Sequence, residues 1–397
     1  MKWKNGKRII IQFLLGLLIP DTWKNIPKID VLLIGHDHHF NFLHQGKLYS
    51  PLLGSMKEYF NKNGMDTAII LRPFSVTKSQ NAWHEHQTFN RHYCLTFIIR
   101  FLGRFYKPLH GLSFAREEKF WTGLLARTKP TRIVAIQPEA ALCRAARKLG
   151  IKIADLQHGV INDLHPWYGT QFRSGTPIND LPTEFLVWDE QSANAINKWA
   201  TDKKIHVLIN GNPWIKRFRS QQNDDFLVLE ALKNSTIFTN KLPKILVSLQ
   251  WGLDELCSEN NFNGIMVSGL EKLILRTRGK YNWMLRLHPV QLHGTYRLEA
   301  VKYLEYTFGR LPCVEWQKTS LTALPIILSQ TSLHLTFSSS VIIEASWFGI
   351  RSAILDPEIE VGGVRDMNYI LERSIGIATV VGSREKDIEN WIFKNLH

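Results

Sequence analysis

Trp283-Met284-Leu285-Arg286-Leu287-His288-Pro289 and, further on, Leu333-His334-Leu335-Thr336-Phe337-Ser338-Ser339-Ser340-Val341-Ile342-Ile343-Glu344-Ala345 have the same form. In each, an apolar strand runs out into polar residues: a cation and an imidazole in the first, three hydroxyls at the start of a helix in the second. Ligands of open parallel sheets bind beyond the carboxyl ends of the strands. Two such ends therefore predict an anion site, with phosphate the natural ligand. Strand alternation puts residues 286 and 288 on one face. Ser338, Ser339 and Ser340 read either as an N-cap or as phosphate ligands beside freed backbone N–H groups.

The same rhythm extends on both sides. Residues 30–35, 67–71, 132–136, 152–156, 186–188 and 205–209 read as strands, and residues 51–63, 117–128 and 139–149 as helices. After a polar stretch, strands recur at 245–249, 282–287, near 314, 333–337 and 353–355, with helices at 269–277, 298–304, 321–328 and 341–348. This alternation predicts parallel sheets covered by helices. The expected fold is α/β, with two doubly wound, Rossmann-like domains facing a cleft. The expected divisions are a basic and apolar helix at 1–29, a first domain at 30–215 with a basic aromatic helical insertion at 80–114, a linker at 216–244, and a second domain at 245–397. No short-period repeat is present, so a solenoid is excluded.

A chain of 397 residues, 44% hydrophobic and 21% charged, can bury two cores. Its 49 Lys+Arg against 35 Asp+Glu, a formal +14, favour an anionic partner: a nucleotide, a lipid surface or nucleic acid. The cations are scattered and no RNA- or DNA-binding module is recognisable, so no nucleic-acid partner is expected. Cys94, Cys143, Cys257 and Cys313 lack C-x-x-C spacing, which argues against a zinc site or a disulfide framework and fits a reducing cytoplasm.

No segment reaches the ~20 apolar residues that span a bilayer. Residues 9–19 follow Lys2, Lys4, Lys7 and Arg8 but precede no small-residue cleavage site, so an uncleaved helix is expected. Residues 98–112 interleave Ile98, Phe101, Phe105 and Tyr106 with Arg100, Arg104 and Lys107. That pattern suits an anionic membrane surface and equally a helix packed on the first domain. The expected location is cytoplasmic, peripheral on the inner face of the plasma membrane.

Two further clusters carry chemistry. Asp155, Gln157 and His158 end a strand of the first domain. His158 is a candidate general base or phosphate ligand, and Gly159 would admit close backbone approach. His36-Asp37-His38-His39, after the first strand, invites a metal reading. No helical His-Glu-x-x-His pattern accompanies it, so no metal is expected, and His36 or Asp37 is read as touching an acceptor or serving as base.

Together, Arg-x-His-Pro at 286–289, Ser-Ser-x-x-x-Glu-Ala at 339–345 followed by Gly349 and Ala353-Ile354-Leu355-Asp356-Pro357, and Asp155-Leu156-Gln157-His158-Gly159 resemble bacterial surface-polysaccharide transferases of the GT-B fold. The resemblance covers roughly residues 130–360. It is to the capsule-synthesis and Kdo- or sialyl-transferase-like enzymes, which use a CMP-activated sugar, with the teichoic-acid glycerophosphotransferases, which use a CDP-activated polyol, close behind.

What this resemblance implies is a metal-independent glycosyltransferase with an acceptor-side first domain and a nucleotide-side second domain. It needs no cofactor beyond the nucleotide-sugar co-substrate, and its partners are that donor and a glycan or lipid-linked acceptor. His288 matches the His-Pro histidine expected at the donor phosphate, with Arg286 adding charge; Ser338, Ser339 and Ser340 match the serine motif; Glu344 would accept from a ribose. His158, Asp155 or Asp37 would handle the acceptor hydroxyl. In the glycerophosphotransferases the matching histidine stands in a Trp-His-Gly context; Gln157 replaces that tryptophan here, which leans toward sugar transfer. The alternatives are polyol-phosphate transfer from a CDP-activated donor, a nucleic-acid-binding protein, and a GT-B-like chain that binds nucleotide without turning it over.

Overall fold

The computed structural model describes residues 13–219, 225–233, 235–251, 265–292 and 294–396. The chain divides into two compact units between Lys216 and Arg217. In the first, strands β1 (Val31–Gly35), β4 (Thr67–Leu71), β5 (Arg132–Ala135), β6 (Lys152–Leu156), β7 (Glu184–Val187) and β8 (His206–Ile209) form one parallel sheet in the order β4-β1-β5-β6-β7-β8. A separate antiparallel hairpin joins β2 (Phe42–His44) to β3 (Lys47–Tyr49).

Every residue of β1 is buried, as expected of a parallel strand covered on both faces. Its side chains alternate between two cores. Leu32 and Ile34 pack with Ile133, Ala135, Trp121 and Leu142, while Val31 and Leu33 pack on the other face with Ile69, Val134, Met56 and Phe60. Helices α1 (Pro51–Lys62), α2 (Asn90–Leu102), α3 (Lys107–Thr128), α4 (Ala140–Lys148) and α5 (Glu190–Ala200) provide the cover. Local chemistry sets their starts: Ser50 Oγ accepts from Leu53 N–H at 3.4 Å ahead of Pro51, and Asp189 accepts from Ser192 N–H at 2.7 Å.

The second unit repeats the plan. Strands β9 (Lys244–Ser248), β10 (Asn282–Arg286), β11 (Val314–Glu315), β12 (Leu333–Thr336), β13 (Ser352–Ile354) and β14 (Ala378–Val380) are all parallel, in the order β11-β10-β9-β12-β13-β14. Ile245, Val247, Trp283, Leu285 and Leu335 fill one face, and Leu246 and Met284 the other.

The boundaries differ from expectation in instructive places. Residues 216–244 are not a bare linker: they contain helix α6 (Phe226–Lys233), and Ile237 and Phe238 pack on the Leu246–Met284 core. Residues 80–114, expected as a basic aromatic helical insertion, are largely helical and run on into the first sheet's own connections. They hold α2 and the beginning of α3, a 22-residue helix that is itself the crossover from β4 to β5. The helix expected at 321–328 is two short pieces, Gln317–Leu321 and Leu324–Ser329, because Pro325 has no N–H to continue a helix and sits in the first turn of the second piece. Of the helix expected at 1–29, residues 1–12 lie outside the described residues; Ile19, Ile26 and Ile29 are buried in the first unit. Among the described residues no helix is long and apolar enough to cross a membrane.

Candidate functional site

Numbered among its own strands, the second sheet runs 3-2-1-4-5-6, and its order reverses between β9 and β12, where such sheets bind ligands. Gln250 follows β9 and Ser338 follows β12. The Gln250 amide clamps the Ser338 backbone from both sides: Ser338 N–H donates to Oε1 and Nε2 donates to Ser338 O, each at 2.6 Å. On the other flank, Gln291 Nε2 donates to Gln250 O at 3.1 Å, and His288 N–H donates to Gln291 Oε1 at 2.8 Å. One hydrogen-bonded chain thus joins His288 to Ser338 across three strand ends, and both residues remain half-buried.

His288 Nδ1 accepts from Val290 N–H at 3.2 Å, which places the ring proton on Nε2 and makes that nitrogen a donor. The exposed indole of Trp251 lies 6.2 Å from the imidazole, centroid to centroid. Ser339 Oγ accepts from Val341 N–H at 3.3 Å, while Ser340 makes no side-chain cap; the helix that follows, Val341–Ser346, is shorter than the sequence implies. Ser338 is also bonded to the phenol of Tyr369, a buried residue at φ 55°.

Arg286 and Glu344 stand behind this edge. Arg286 Nη1 donates to Thr319 O and, at 2.8 Å, to Thr322 O, fastening the C-terminal end of the short helix after β11. Burial pushes the Glu344 carboxyl up to about 7, against the opposing pull of the Arg286 guanidinium. The two charges therefore answer each other inside the unit. A small apolar crevice lies at the same reversal, lined by Leu249, Gln250, Met266, Val267, Thr336 and Phe337.

In the first unit the corresponding order is 2-1-3-4-5-6, reversing between β1 and β5. His36-Asp37-His38-His39 forms a short turn there. His36 Nδ1 lies 3.1 Å from Asp37 Oδ1, Val76 N–H donates to Asp37 Oδ2 at 2.8 Å, and His36 N–H donates to His39 Nδ1 at 3.0 Å. Burial raises the Asp37 carboxyl, but its bonds to His36 and Val76 outweigh burial and hold it below the usual range.

His158 faces His39, with ring centroids 5.9 Å apart. Burial, then the charges of His38, His165 and Arg72, lowers His158 to about 4. His39 Nε2 and His158 Nδ1 are buried with no hydrogen-bond partner. His36, Asp37 and His38 offer ligand atoms within 4.8 Å of one another, a spacing that admits a cation, while the Arg72 charge bears on His38 and on the neighbouring His39 and opposes one.

Asp155 is sealed, at 1% exposure. Its Oδ1 accepts from Gln137 N–H at 2.9 Å and Tyr168 O–H at 3.3 Å, its Oδ2 has no partner, and burial raises it to about 7. It anchors Gln137, which turns at φ 52° after β5. Gln157 is fully engaged: Nε2 donates to Gly159 O and Ser192 Oγ, and Oε1 accepts from Trp188 N–H at 2.6 Å. A Cβ built at Gly159 meets nothing within 4 Å, so close backbone packing does not require glycine there.

The second unit thus brings His288 together with Ser338, and the first brings His158 together with the His36–His39 turn. Arg286 and Glu344 face inward. Gln250, Gln291 and Arg72 were not singled out from the sequence, and His39 was named only within the run His36-Asp37-His38-His39. Gln250 had a legible signal, since it is the first polar residue after Ile245-Leu246-Val247-Ser248-Leu249.

No protein-family model and no curated protein sequence matches the chain. Solved structures do match its fold. UDP-GlcNAc 2-epimerase from Neisseria meningitidis, bound to UDP-GlcNAc, is 14% identical with a TM-score of 0.56, covering 92% of this chain and 90% of that one. The Methanocaldococcus jannaschii UDP-GlcNAc 2-epimerase is 14% identical at a TM-score of 0.54, with 92% of each chain covered. The wall teichoic acid polymerase TagF is 13% identical at 0.58, covering 100% of this chain and 87% of that one. At these identities the likeness is one of fold, and that fold is GT-B-like: two Rossmann-like units, each with a six-stranded parallel sheet.

Proposed function

We propose that this chain is a glycosyltransferase that moves a sugar from a nucleotide-activated, cytidine-linked donor to a glycan or lipid-linked acceptor. The hydrogen-bonded chain from His288 through Gln291 and Gln250 to Ser338 carries this reading. It holds an Nε2–H donor and the serine hydroxyls in fixed positions at the strand-order reversal, where charge on a departing phosphate would be stabilised without reorganisation. Arg286 acts at one remove, by fixing the helix end beside the site and balancing Glu344. In the first unit His158, kept uncharged at neutral pH by burial, is the proposed base for the acceptor hydroxyl. The reaction so drawn uses no divalent ion, and EDTA should leave its rate unchanged.

Polyol-phosphate transfer from a CDP-activated donor is the second reading, supported by the shared motifs and by the full-length likeness to TagF. Thermal shift and donor hydrolysis with a CMP-sugar, CDP-glycerol and UDP-GlcNAc separate the two. Stabilisation by CMP and turnover of the CMP-sugar are expected. Preference for CDP-glycerol selects the second reading; indifference to every nucleotide, or conversion of UDP-GlcNAc without an acceptor, overturns both.

A further inference from the structure

Helix α2 is apolar on two opposite faces. Its inner face, with Tyr93 and Phe97, packs on the first unit's core, where the Phe13 ring stacks on Phe97 at 4.9 Å. Its outer face leaves Ile98, Phe101 and Leu102 exposed, and the turn into α3 lifts Phe105 and Tyr106 into solvent, Phe105 at 81% exposure. Residues 13–18 widen the patch. They are tied to α2 by Asn90 Nδ2 donating to Gly16 O at 2.9 Å and Arg91 Nε donating to Leu17 O at 3.0 Å, and they leave Leu18 exposed. Contiguous exposed apolar surface of this kind marks an interaction site.

The charge around this patch has one sign. Between Glu85 and Glu117 the sequence holds no acidic residue but does hold Arg91, Arg100, Arg104, Lys107 and Arg116; residues 1–20 likewise contain none. Of the nearby acids, Glu117 is buried in an ion pair with Arg100, and Asp21 spends both carboxylate oxygens on the Arg91 and His92 N–H groups, at 2.8 and 2.7 Å. We infer that this face docks on an anionic lipid bilayer, with Phe105 and Tyr106 entering the headgroup boundary and Arg91 and Arg104 meeting lipid phosphates. The aromatic rings project from a turn rather than line a groove, which suits insertion. A symmetric second copy would set like charges against each other. None of the strand-end residues takes part, so this inference stands apart from the proposed reaction.

The test is flotation of the full chain with phosphatidylcholine vesicles, with and without phosphatidylglycerol, across a salt series. Binding to the anionic vesicles, weakened by salt, is expected. Phe105→Ser with Tyr106→Ser should weaken it roughly tenfold or more, and Arg104→Gln roughly fivefold. All three residues are exposed, so melting temperatures should hold in both variants, confirming that a loss is not unfolding. Absence of binding at low salt, equal binding by the aromatic variant, or a concentration-dependent dimer abolished by Phe105→Ser would overturn the proposal.

Discussion

At the reversal of the second sheet, Gln250 and Gln291 tie His288 and Ser338 into one hydrogen-bonded chain. In the first unit, His39 Nε2, His158 Nδ1 and Asp155 Oδ2 are buried with no partner. Each such group costs about 1–3 kcal/mol, and orphaned buried groups call for an explanation, catalysis among them. The contrast separates two tasks. On the proposed reaction, one edge would be preorganised to hold an anion, and the other would keep an uncharged imidazole ready to take a proton.

The largest effect that would break this division is on turnover. His288→Ala should lower it a hundredfold or more, about 3 kcal/mol, with the melting temperature nearly unchanged. His158→Ala should instead erase the acid limb of the kcat/KM profile, which falls as pH drops through about 4 rather than near 6.5. If His288→Ala erases that limb and His158→Ala spares it, the roles are reversed.

Next comes the Asp155 carboxyl, raised by burial to about 7. An acid whose pKa is raised by folding contributes stability that is full below its unfolded value and lost as pH rises through the folded one. Stability should therefore fall between pH 4 and 7, by an amount on the order of a few kcal/mol. Asp155→Asn should flatten that slope in denaturant titrations, and an unchanged slope would refute the assignment. His334 has the opposite sign. It is fully buried between Ser352 Oγ at 2.9 Å and Ser248 Oγ at 3.0 Å and lowered to about 3, so its contribution is lost as pH falls from about 6.5 toward 3.

Smaller effects sharpen the second edge. Gln250→Ala removes the two side-chain hydrogen bonds to Ser338 and should cost about 2 kcal/mol of stability, together with nucleotide-induced stabilisation in the same thermal assay. Ser339→Ala loses one 3.3 Å acceptor for the Val341 N–H and should cost about 0.5–1 kcal/mol. Equal losses in these two variants would mean that the amide clamp is ordinary packing.

Strand positions were legible because parallel strands buried on both faces are written as runs such as Val31-Leu32-Leu33-Ile34. Short or half-polar elements were not. The β2–β3 hairpin alternates weakly over three residues per strand, β14 has a single buried residue, and α7 (Glu385–Leu396) lies beyond the motifs. The juxtaposition of His288 and Ser338 comes from a strand order the sequence did not show, which sets their strands β10 and β12 on either side of β9. Nor did it show side-chain orientation. Strand alternation put 286 and 288 on one face, yet β10 ends at Arg286, which turns to the Thr319 and Thr322 carbonyls while His288 enters the next turn. Asp155 read as an open strand end because a sequence carries no record of the Tyr168 and Gln137 groups that cover it.

The ladders of the two sheets close within residues 31–209 and 244–380. β1 cannot gain both neighbours until β5, a hundred residues later, has left the ribosome. After that, the first sheet completes its pairing with no strand from downstream, so synthesis can lay down one finished sheet before the other exists. Stalling near residue 240 should leave a chain whose first ladder already resists hydrogen exchange.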